Sequence, residues 1–392
     1  MIFSYLKQQD ILPVDANTAI LVGRVWRPGI GPALVTIRNG AVVDITSAQA
    51  ATMSSLLEHE DVAALVDSLQ GELIGTLDDI LENSIETNRN ANLPYLLSPI
   101  DLQAVKAAGV TFAASLIERV IEEQARGVPE NAAEIRANLQ TIIGDDLRLL
   151  KPGSERAAAF KSKLVEKGLW SQYLEVGLGP DPEVFTKCQV LSAVGFGANV
   201  GIDERSTWNN PEPEIALVVS ASGRIIGATL ANDVNLRDFE GRSALLLPKA
   251  KDNNASCSLG PFIRIFDAKF GYDDILNAKV NLEIQGADGF TLDDFSDMGQ
   301  ISRSPKELVD ATIGSTHQYP DGFVLLMGTM FAPTADRNKD NTGFTHKPGD
   351  IVSISSSKLG RLVNRVDYCQ NCAPWNFGIK ALIENLARRK LA

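Results

Sequence analysis

The sequence predicts an α+β fold that is rich in β-strands, with a smaller N-terminal α/β domain (residues 1–95) ahead of a larger domain (residues 96–392). From about residue 185, β-branched runs are separated by Gly, Pro and Asn, which is typical of strands joined by turns. Before that point, apolar residues at three- and four-residue spacing favour amphipathic helices over residues 53–68 and 105–124. Prolines between these two segments place the domain boundary near residue 95.

The individual elements are predicted from local residue patterns. Short apolar alternations on both sides of Asn39-Gly40 predict a β-hairpin, because both turn residues tolerate a positive φ. Residues 130–175 are polar, charged and helix-prone, and they form either a helical insertion that covers a site or a solvated helical hairpin. A helix over residues 378–391 closes the chain. The strands predicted in the larger domain cover residues 215–220, 224–230, 262–266, 280–284, 322–327 and 351–354.

Composition and charge narrow the range of functions. The chain carries a formal net charge of −12, which argues against nucleic acid and anionic membranes as partners. No stretch approaches the roughly 18 uninterrupted apolar residues of a membrane span, and the first residues lack the pattern of a secretion signal. Cysteines are too few for a disulfide-stapled secreted module. We therefore expect a soluble, acidic, cytoplasmic globular protein.

The densest group of chemically reactive residues lies between residues 206 and 261. Glu212 and Glu214 lead into an apolar strand, and alternation along that strand places both side chains on one face. A second strand ends at Asp233, which brings a third carboxylate within reach. Converging carboxylates repel one another unless a cation lies between them, and such oxygen ligands suit Mg²⁺ or Mn²⁺. The alternative is that all three acids lie on a solvated rim.

A polar segment over residues 247–261 is the second candidate region, because it lies between apolar strands and is rich in turn formers. Site residues concentrate on loops that a rigid sheet holds. Lys251 is suited to place an ammonium group beside a metal-bound anionic substrate, and an ordinary surface lysine is the alternative. Cys369 and Cys372 form a single C-x-x-C pair, so we do not expect zinc or redox chemistry there.

In their order along the chain, these motifs resemble the catalytic domain of the fumarylacetoacetate hydrolase superfamily. The resemblance covers roughly residues 100–370, and the segments that carry it are residues 212–217, 231–238, 251–261, 328–329 and 347–350. It implies a mixed β-roll catalytic domain with a helical insertion around residues 130–175. It also implies a homodimer or a larger homo-oligomer that acts on a small-molecule 2-keto acid.

The resemblance assigns roles residue by residue. Glu212, Glu214 and Asp233 would be the ligands of one divalent metal, Mg²⁺ or Mn²⁺. Three further residues would contact the substrate, in addition to the lysine at 251 already described: Lys187, Thr329 and His317. The match at Lys187 rests on a position where many members carry a lysine. His317 either contacts the substrate or only orders its own loop.

One departure from the hydrolytic members is informative. Those members carry a histidine followed three residues later by a glutamate, and this pair activates water. Here Ser115 takes the histidine position and Glu118 is retained. A Ser and a Glu at these positions, with residues 317–322 and 327–334, resemble the 2-keto-3-deoxy-D-arabinonate (pentonate) dehydratase branch. That branch implies conversion of a 2-keto-3-deoxy-D-pentonate, of the D-arabinonate or D-xylonate type, to α-ketoglutarate semialdehyde and water.

The implied chemistry is metal-assisted dehydration. A 2-keto acid chelates one Mg²⁺ through its carboxylate and ketone oxygens, and the metal stabilises the enolate that forms when a C3 proton leaves. The C4 hydroxyl then departs as water, and tautomerisation gives the aldehyde. Glu118 is the candidate proton shuttle, with a pKa raised by burial, while Ser115 positions a hydroxyl or a water. Without the family match, Glu118 is another solvated acid and Glu122 forms a surface pair with Arg126.

Two other functions remain open from the sequence. A hydrolase that cleaves a C–C bond of an acylpyruvate or diketo sugar acid needs an activated water, for which Glu118 alone is a sufficient base. A non-catalytic metal-binding relative is the third hypothesis. The products separate the first two activities, since dehydration preserves the carbon chain and hydrolysis yields two shorter acids.

Overall fold

The computed structural model describes residues 6–132, 134–137, 150–166, 168, 170–331, 335–337 and 343–391. Its strands are β1 (Leu21–Arg27), β2 (Gly31–Arg38), β3 (Ala41–Asp44), β4 (Glu72–Thr76), β5 (Tyr95–Leu96), β6 (Ala104–Gly109), β7 (Glu183–Cys188), β8 (Asn199–Ile202), β9 (Asn209–Asn210), β10 (Pro213–Val219), β11 (Ile225–Asp233), β12 (Asn235–Leu236), β13 (Cys257–Ile265), β14 (Lys279–Gln285), β15 (Thr291–Asp297), β16 (Phe323–Leu326), β17 (Ile351–Ser356) and β18 (Gly360–Tyr368). Its α-helices are Gln8–Ile11, Met53–Leu57, Val62–Ser68, Leu77–Ser84, Ala113–Gln124, Glu155–Glu166, Gln172–Leu178, Arg237–Arg242, Leu247–Lys251, Tyr272–Leu276, Pro305–Thr312 and Ile379–Arg388.

Two sheets contain nearly all of these strands. The larger sheet runs in the order β4-β3-β2-β1-β13-β11-β10-β16-β6-β7, with β5 also paired to β1. Its neighbours are antiparallel except for β16 and β6, which are parallel. The second sheet runs in the order β15-β14-β17-β18-β8. Because β1 pairs with β13, the regions before and after residue 95 share one sheet, and a domain boundary at that residue stays a prediction.

Each face of the larger sheet packs against a separate core, because side chains alternate along a strand. Leu217 of β10 packs into the core that also contains Leu282 of β14, so this core lies between the two sheets. Val218 of the same strand belongs to the core on the opposite face, which the helix Met53–Leu57 helps to cover. Burial on both faces explains why these strands are continuous apolar runs in the sequence. The predicted strand-rich α+β class is confirmed.

The hairpin predicted at Asn39-Gly40 is confirmed, since β2 and β3 pair across this turn. Asn39 has a φ of 53° and Gly40 a φ of 76°. The six strands predicted in the larger domain correspond to β10, β11, β13, β14, β16 and β17. Of these, β13 extends furthest beyond its predicted bounds, because it begins at Cys257, inside the segment predicted to be a loop. The same segment starts with a short helix, Leu247–Lys251.

Two of the predicted helices differ from the structure. The helix predicted over residues 105–124 is wrong in its first part, where β6 lies between β16 and β7 before the helix begins at Ala113. Val105 and Ala107 are buried whereas Ala104 and Lys106 are only partly buried, which is the two-residue period of a strand. The helix predicted over residues 53–68 is two helices, because Asp61 starts the second one by accepting a hydrogen bond from the backbone N–H of Ala64.

The predicted insertion around residues 130–175 is described only in part, since residues 133, 138–149, 167 and 169 lie outside the described residues. Its described helices, Glu155–Glu166 and Gln172–Leu178, share a third core with the helix Ala113–Gln124. Leu116 and Leu174 belong to this core. No helix in the described part of the chain is both long enough and apolar enough to cross a membrane.

Candidate active site

A cavity lies where the start of β10, the end of β11 and the helix Ala113–Gln124 meet. The antiparallel register explains this meeting, because Pro213 is opposite Asn232 in the paired strands. The start of β10 and the end of β11 are therefore at the same edge of the sheet. Six of the nine predicted site residues line the cavity: Ser115, Glu118, Glu212, Glu214, Lys251 and Thr329.

Three buried carboxylates form the centre of the site. Glu212, Glu214 and Asp233 each offer a carboxylate oxygen, and these oxygens all lie within 4.8 Å of one another. The backbone N–H of Asp233 donates to the carbonyl oxygen of Glu212 over 3.0 Å, which fixes the two strands in this register. The exposed fractions of the three residues are 4%, 2% and 1%. The structure therefore brings the three predicted acids together in the interior and not on a solvated rim.

Two of these acids are neutralised by nearby cations. Glu212 forms ion pairs with Arg119 and Lys251. The ammonium of Lys251 also lies 3.3 Å from a carboxylate oxygen of Asp233. Burial raises the pKa of Glu212, but the positive charges of Lys251 and Arg119 outweigh burial and hold it below its ordinary value. Burial lowers the pKa of Lys251, and the charges of Asp233 and Glu212 reverse this effect and raise it.

Glu214 is the acid without an ion-pair partner among the described residues. One of its oxygens accepts a hydrogen bond of 2.7 Å from the backbone N–H of Gly328. Glycine is required at 328, because its φ is +82° and a Cβ there would lie 2.1 Å from the hydroxyl of Thr111. Burial raises the pKa of Glu214 well above its ordinary value, and the charges of Asp233 and Glu212 raise it further.

This arrangement fits a hard divalent cation. A buried charge without an ion-pair partner is strongly destabilising. The charge of Lys251 lowers the pKa of Glu214, but burial and the two neighbouring acids outweigh it. A cation bound by all three carboxylates would supply that compensation. The cluster consists only of carboxylates, and such oxygen donors favour Mg²⁺ or Mn²⁺ over zinc.

Glu118 lies in the cavity wall, but its electrostatic state differs from our expectation. Two hydrogen bonds of 3.0 and 2.8 Å join its carboxylate to the guanidinium of Arg136, and Arg237 donates a third of 3.2 Å. Burial raises the pKa of Glu118, but these two arginines outweigh burial and lower it below its ordinary value. The expectation of a raised pKa is therefore wrong. Ser115 lies one helical turn earlier, and its hydroxyl donates to the carbonyl of Phe112 over 2.9 Å.

The expected surface pair between Glu122 and Arg126 is also wrong. Glu122 is 2% exposed, whereas Arg126 is exposed at the end of the helix. The carboxylate of Glu122 accepts hydrogen bonds from Arg119 over 2.7 Å and from Arg237 over 2.6 Å. Arg119 also pairs with buried Glu240 at 3.0 Å. Sequence reasoning missed this buried network, although charges three and four residues apart on one helix face were the available signal.

Glu183, the first residue of β7, is a second acid that sequence reasoning missed. It lines the cavity and forms no ion pair within the described part of the chain. Burial and the negative charge of Glu240 raise its pKa to about 7. No motif marks this glutamate in the sequence, and only the pairing of β7 with β6 brings it to the cavity.

The three expected substrate contacts occupy different positions. Thr329 lines the cavity directly after β16. Lys187 is fully buried behind the acids, where its ammonium lies 2.9 Å from Asp233 and donates to the carbonyl of Val234 over 3.1 Å. His317 is exposed in a turn that precedes β16, with its ring against Tyr319, so the structure does not bring it into this cavity.

Residues 175–367 match the fumarylacetoacetate (FAA) hydrolase C-terminal family. This part of the chain is similar to the fumarylacetoacetate hydrolase family. The carboxylate trio and Lys251 all lie within the matched region, whereas Ser115 and Glu118 precede it.

Two curated relatives extend the comparison. The 2-dehydro-3-deoxy-D-arabinonate dehydratase of Saccharolobus solfataricus is 30% identical over 185 residues, which is 47% of this chain and 58% of that protein. The match therefore spans less than two thirds of that enzyme. The probable 2-keto-3-deoxyxylonate dehydratase of Haloferax volcanii is 27% identical over 336 residues, which is 85% of this chain and 94% of that protein.

A solved structure shows the same fold. It is a 2-keto-3-deoxy-D-arabinonate dehydratase complexed with magnesium and 2,5-dioxopentanoate. The TM-score is 0.60 at 22% sequence identity, and the alignment covers 89% of this chain and 99% of that chain. The fold expected for the fumarylacetoacetate hydrolase family is thus confirmed over most of this chain.

Proposed function

We propose that this protein is a Mg²⁺-dependent dehydratase (a hydro-lyase) that converts a 2-keto-3-deoxy-D-pentonate to α-ketoglutarate semialdehyde and water. The observation that carries the proposal is the buried carboxylate trio, in which no described side chain forms an ion pair with Glu214. The names of the two curated relatives support the substrate class. The 2,5-dioxopentanoate in the solved structure of similar fold is the same compound as the semialdehyde product proposed here.

Glu212, Glu214 and Asp233 would hold the metal, which on binding supplies a Lewis acid that makes the C3 protons of a 2-keto acid more acidic. Lys251 contacts both Glu212 and Asp233, so its ammonium is fixed at the edge of the cluster. From there it is placed to attract the carboxylate of the substrate. Thr329 lies in the same cavity wall, where its hydroxyl is placed to contact the substrate.

We assign proton transfer to Glu183. Its pKa of about 7 means that both the acid and its conjugate base are present near neutral pH. Its carboxylate accepts a C3 proton and returns a proton to the C4 hydroxyl, which leaves as water and gives 5-hydroxy-2-oxopent-3-enoate. Loss of a C5 proton and protonation at C3 convert this enone to an enol at C4 and C5, and protonation of that enol at C4 gives the aldehyde. Glu183 ends the cycle as it began. A single placed acid–base group of this kind is worth about 10²–10⁴-fold in rate.

Glu118 then has a positioning role. Because its carboxylate is held by Arg136 and Arg237, it stays ionised and cannot readily carry a proton. It instead fixes both guanidinium groups at the cavity wall. Arg136 belongs to the helical insertion, so this ion pair ties the insertion to the site. The hydroxyl of Ser115 is placed to orient a substrate hydroxyl or a water.

The test is incubation of the protein with 2-keto-3-deoxypentonates and Mg²⁺, with product identification by mass spectrometry. We expect a product that has lost one water and kept its five carbons. Two shorter acids would show C–C hydrolysis and refute the proposal. A chelator should abolish turnover, and added Mg²⁺ should restore it.

A pair of variants tests the assigned roles. Glu183→Gln should retain Mg²⁺ and substrate binding but lose about 10²–10⁴-fold in kcat. Glu60→Gln is the matched control, because Glu60 is exposed and lies outside the cavity. Unchanged turnover in Glu183→Gln would reject Glu183 as the proton carrier.

A further inference from the structure

Asn210 is a buried amide with one unused hydrogen-bonding atom at the cavity. The residue is 2% exposed and lines the cavity. Its Nδ2 donates to the carbonyl of Pro211 over 2.8 Å, which fixes the amide orientation and leaves Oδ1 as the free acceptor. Oδ1 is buried and has no hydrogen-bond partner among the described residues. Buried polar atoms are nearly always paired, so an unpaired acceptor at a cavity indicates a donor on the ligand.

The position of Asn210 relative to the acids is set by the backbone. Asn210, Glu212 and Glu214 occupy every second position from the end of β9 to the start of β10, and all three line the cavity. The pairing of Asn210 with Asn235 holds this stretch in place. Its side chain therefore lines the same cavity as two of the three acids. A substrate whose keto-acid end lies at the trio would extend its remaining carbons along the cavity wall that contains Asn210.

We propose that Oδ1 of Asn210 accepts a hydrogen bond from the terminal C5 hydroxyl of the substrate and so selects hydroxylated 2-keto acids. This inference rests on the proposed function for the placement of the keto-acid end. The C5 hydroxyl is retained while the C4 hydroxyl leaves, so a fixed acceptor at C5 holds the chain during the loss of water, before tautomerisation converts C5 to the aldehyde. A ligand that presents a methyl group at C5 leaves the acceptor unpaired, and sites built around a substrate hydroxyl discriminate strongly against such analogues.

Two unreactive ligands test this inference by isothermal titration calorimetry on the Mg²⁺-loaded protein. Both 5-hydroxy-2-oxopentanoate and 2-oxopentanoate lack the C4 hydroxyl, so neither can be dehydrated, and they differ only in the C5 hydroxyl. We expect the hydroxylated acid to bind about tenfold more tightly to the wild-type protein. Asn210→Leu should bring this ratio close to one by weakening only the hydroxylated ligand.

Each other outcome has a defined meaning. Equal binding of the two acids by the wild-type protein, or an unchanged ratio in Asn210→Leu, would overturn the inference. A loss of Mg²⁺ affinity in Asn210→Leu with an unchanged ratio would assign Asn210 to the metal instead. Asn210→Ser provides the same comparison if the leucine variant does not fold. A preserved preference without dehydratase activity would refute the proposed reaction but leave the role of Asn210 intact.

Discussion

We expect that replacing Glu214 with glutamine stabilises the metal-free protein but reduces the stability that the protein gains from Mg²⁺. Glu214 is 2% exposed, and burial together with the charges of Asp233 and Glu212 disfavours its ionised form. Glutamine keeps an acceptor for the backbone N–H of Gly328, which lies 2.7 Å away, and removes the charge. Without metal, the free energy of unfolding of the variant should therefore exceed that of the wild-type protein by on the order of 1–3 kcal/mol.

The wild-type protein should gain stability from the metal by mass action. Mg²⁺ at 100 times its Kd contributes about 2.7 kcal/mol. With an unfolding entropy of about 2.1 cal/mol/K per residue over 392 residues, this free energy raises Tm by about 3 °C. Glu214→Gln should lose most of this increase, because the variant has one anionic ligand fewer, although its Tm in chelator should be higher by about 1–4 °C.

The assay is scanning calorimetry of both proteins in chelator and in Mg²⁺. Asp294→Asn is the matched control, since the carboxyl of Asp294 is half-buried with a pKa raised by burial and lies in β15, outside the trio. That variant should keep the full response to Mg²⁺. A Glu214→Gln protein that is less stable in chelator, or that responds to Mg²⁺ as the wild-type protein does, would refute the reasoning.

Three further changes test other parts of the molecule. The kcat/KM should rise with pH through about 7, because Glu183 must ionise to accept the C3 proton. The pH–rate profile of Glu183→Gln should lack this rise. The same rise in the variant would contradict the assignment. Lys251→Met leaves two buried carboxylates without their shared ammonium. Urea titration should therefore show that the free energy of unfolding falls by about 3–5 kcal/mol and that Mg²⁺ partly restores it. An unchanged free energy of unfolding would contradict this account. Asp101→Ala removes the acceptor at the start of the helix Met53–Leu57, so unfolding free energy should fall by about 2 kcal/mol while calorimetric Mg²⁺ binding stays unchanged.

The strands and the carboxylate trio were predictable because both depend on short-range rules. Alternation places Glu212 and Glu214 on one face, and the turn between two adjacent strands brings the end of the second, Asp233, back to the start of the first. The hairpin at residues 39–40 follows from turn chemistry in the same way. Each of these inferences needs only a few neighbouring residues.

The charged network required the tertiary structure. Glu122 and Arg119 have the spacing of an ordinary exposed helix pair, and only packing against the helix Arg237–Arg242 buries them. The lowered pKa of Glu118 has the same origin, because its two arginine partners come from distant parts of the sequence. Asn210 carries no signal of its own, since an unpaired amide oxygen can be recognised only once every neighbour is in place.

The shared sheet has a consequence for any attempt to study the second half of the chain alone. Val218, Ile263 and Val324 belong to a core that is completed by residues of the first 95 positions, among them Leu34 and Met53. A fragment truncated at residue 95 would present this apolar face to water and would also lose the pairing of β1 with β13. Such a surface promotes aggregation, so we expect the truncated fragment to be recovered mainly as insoluble material.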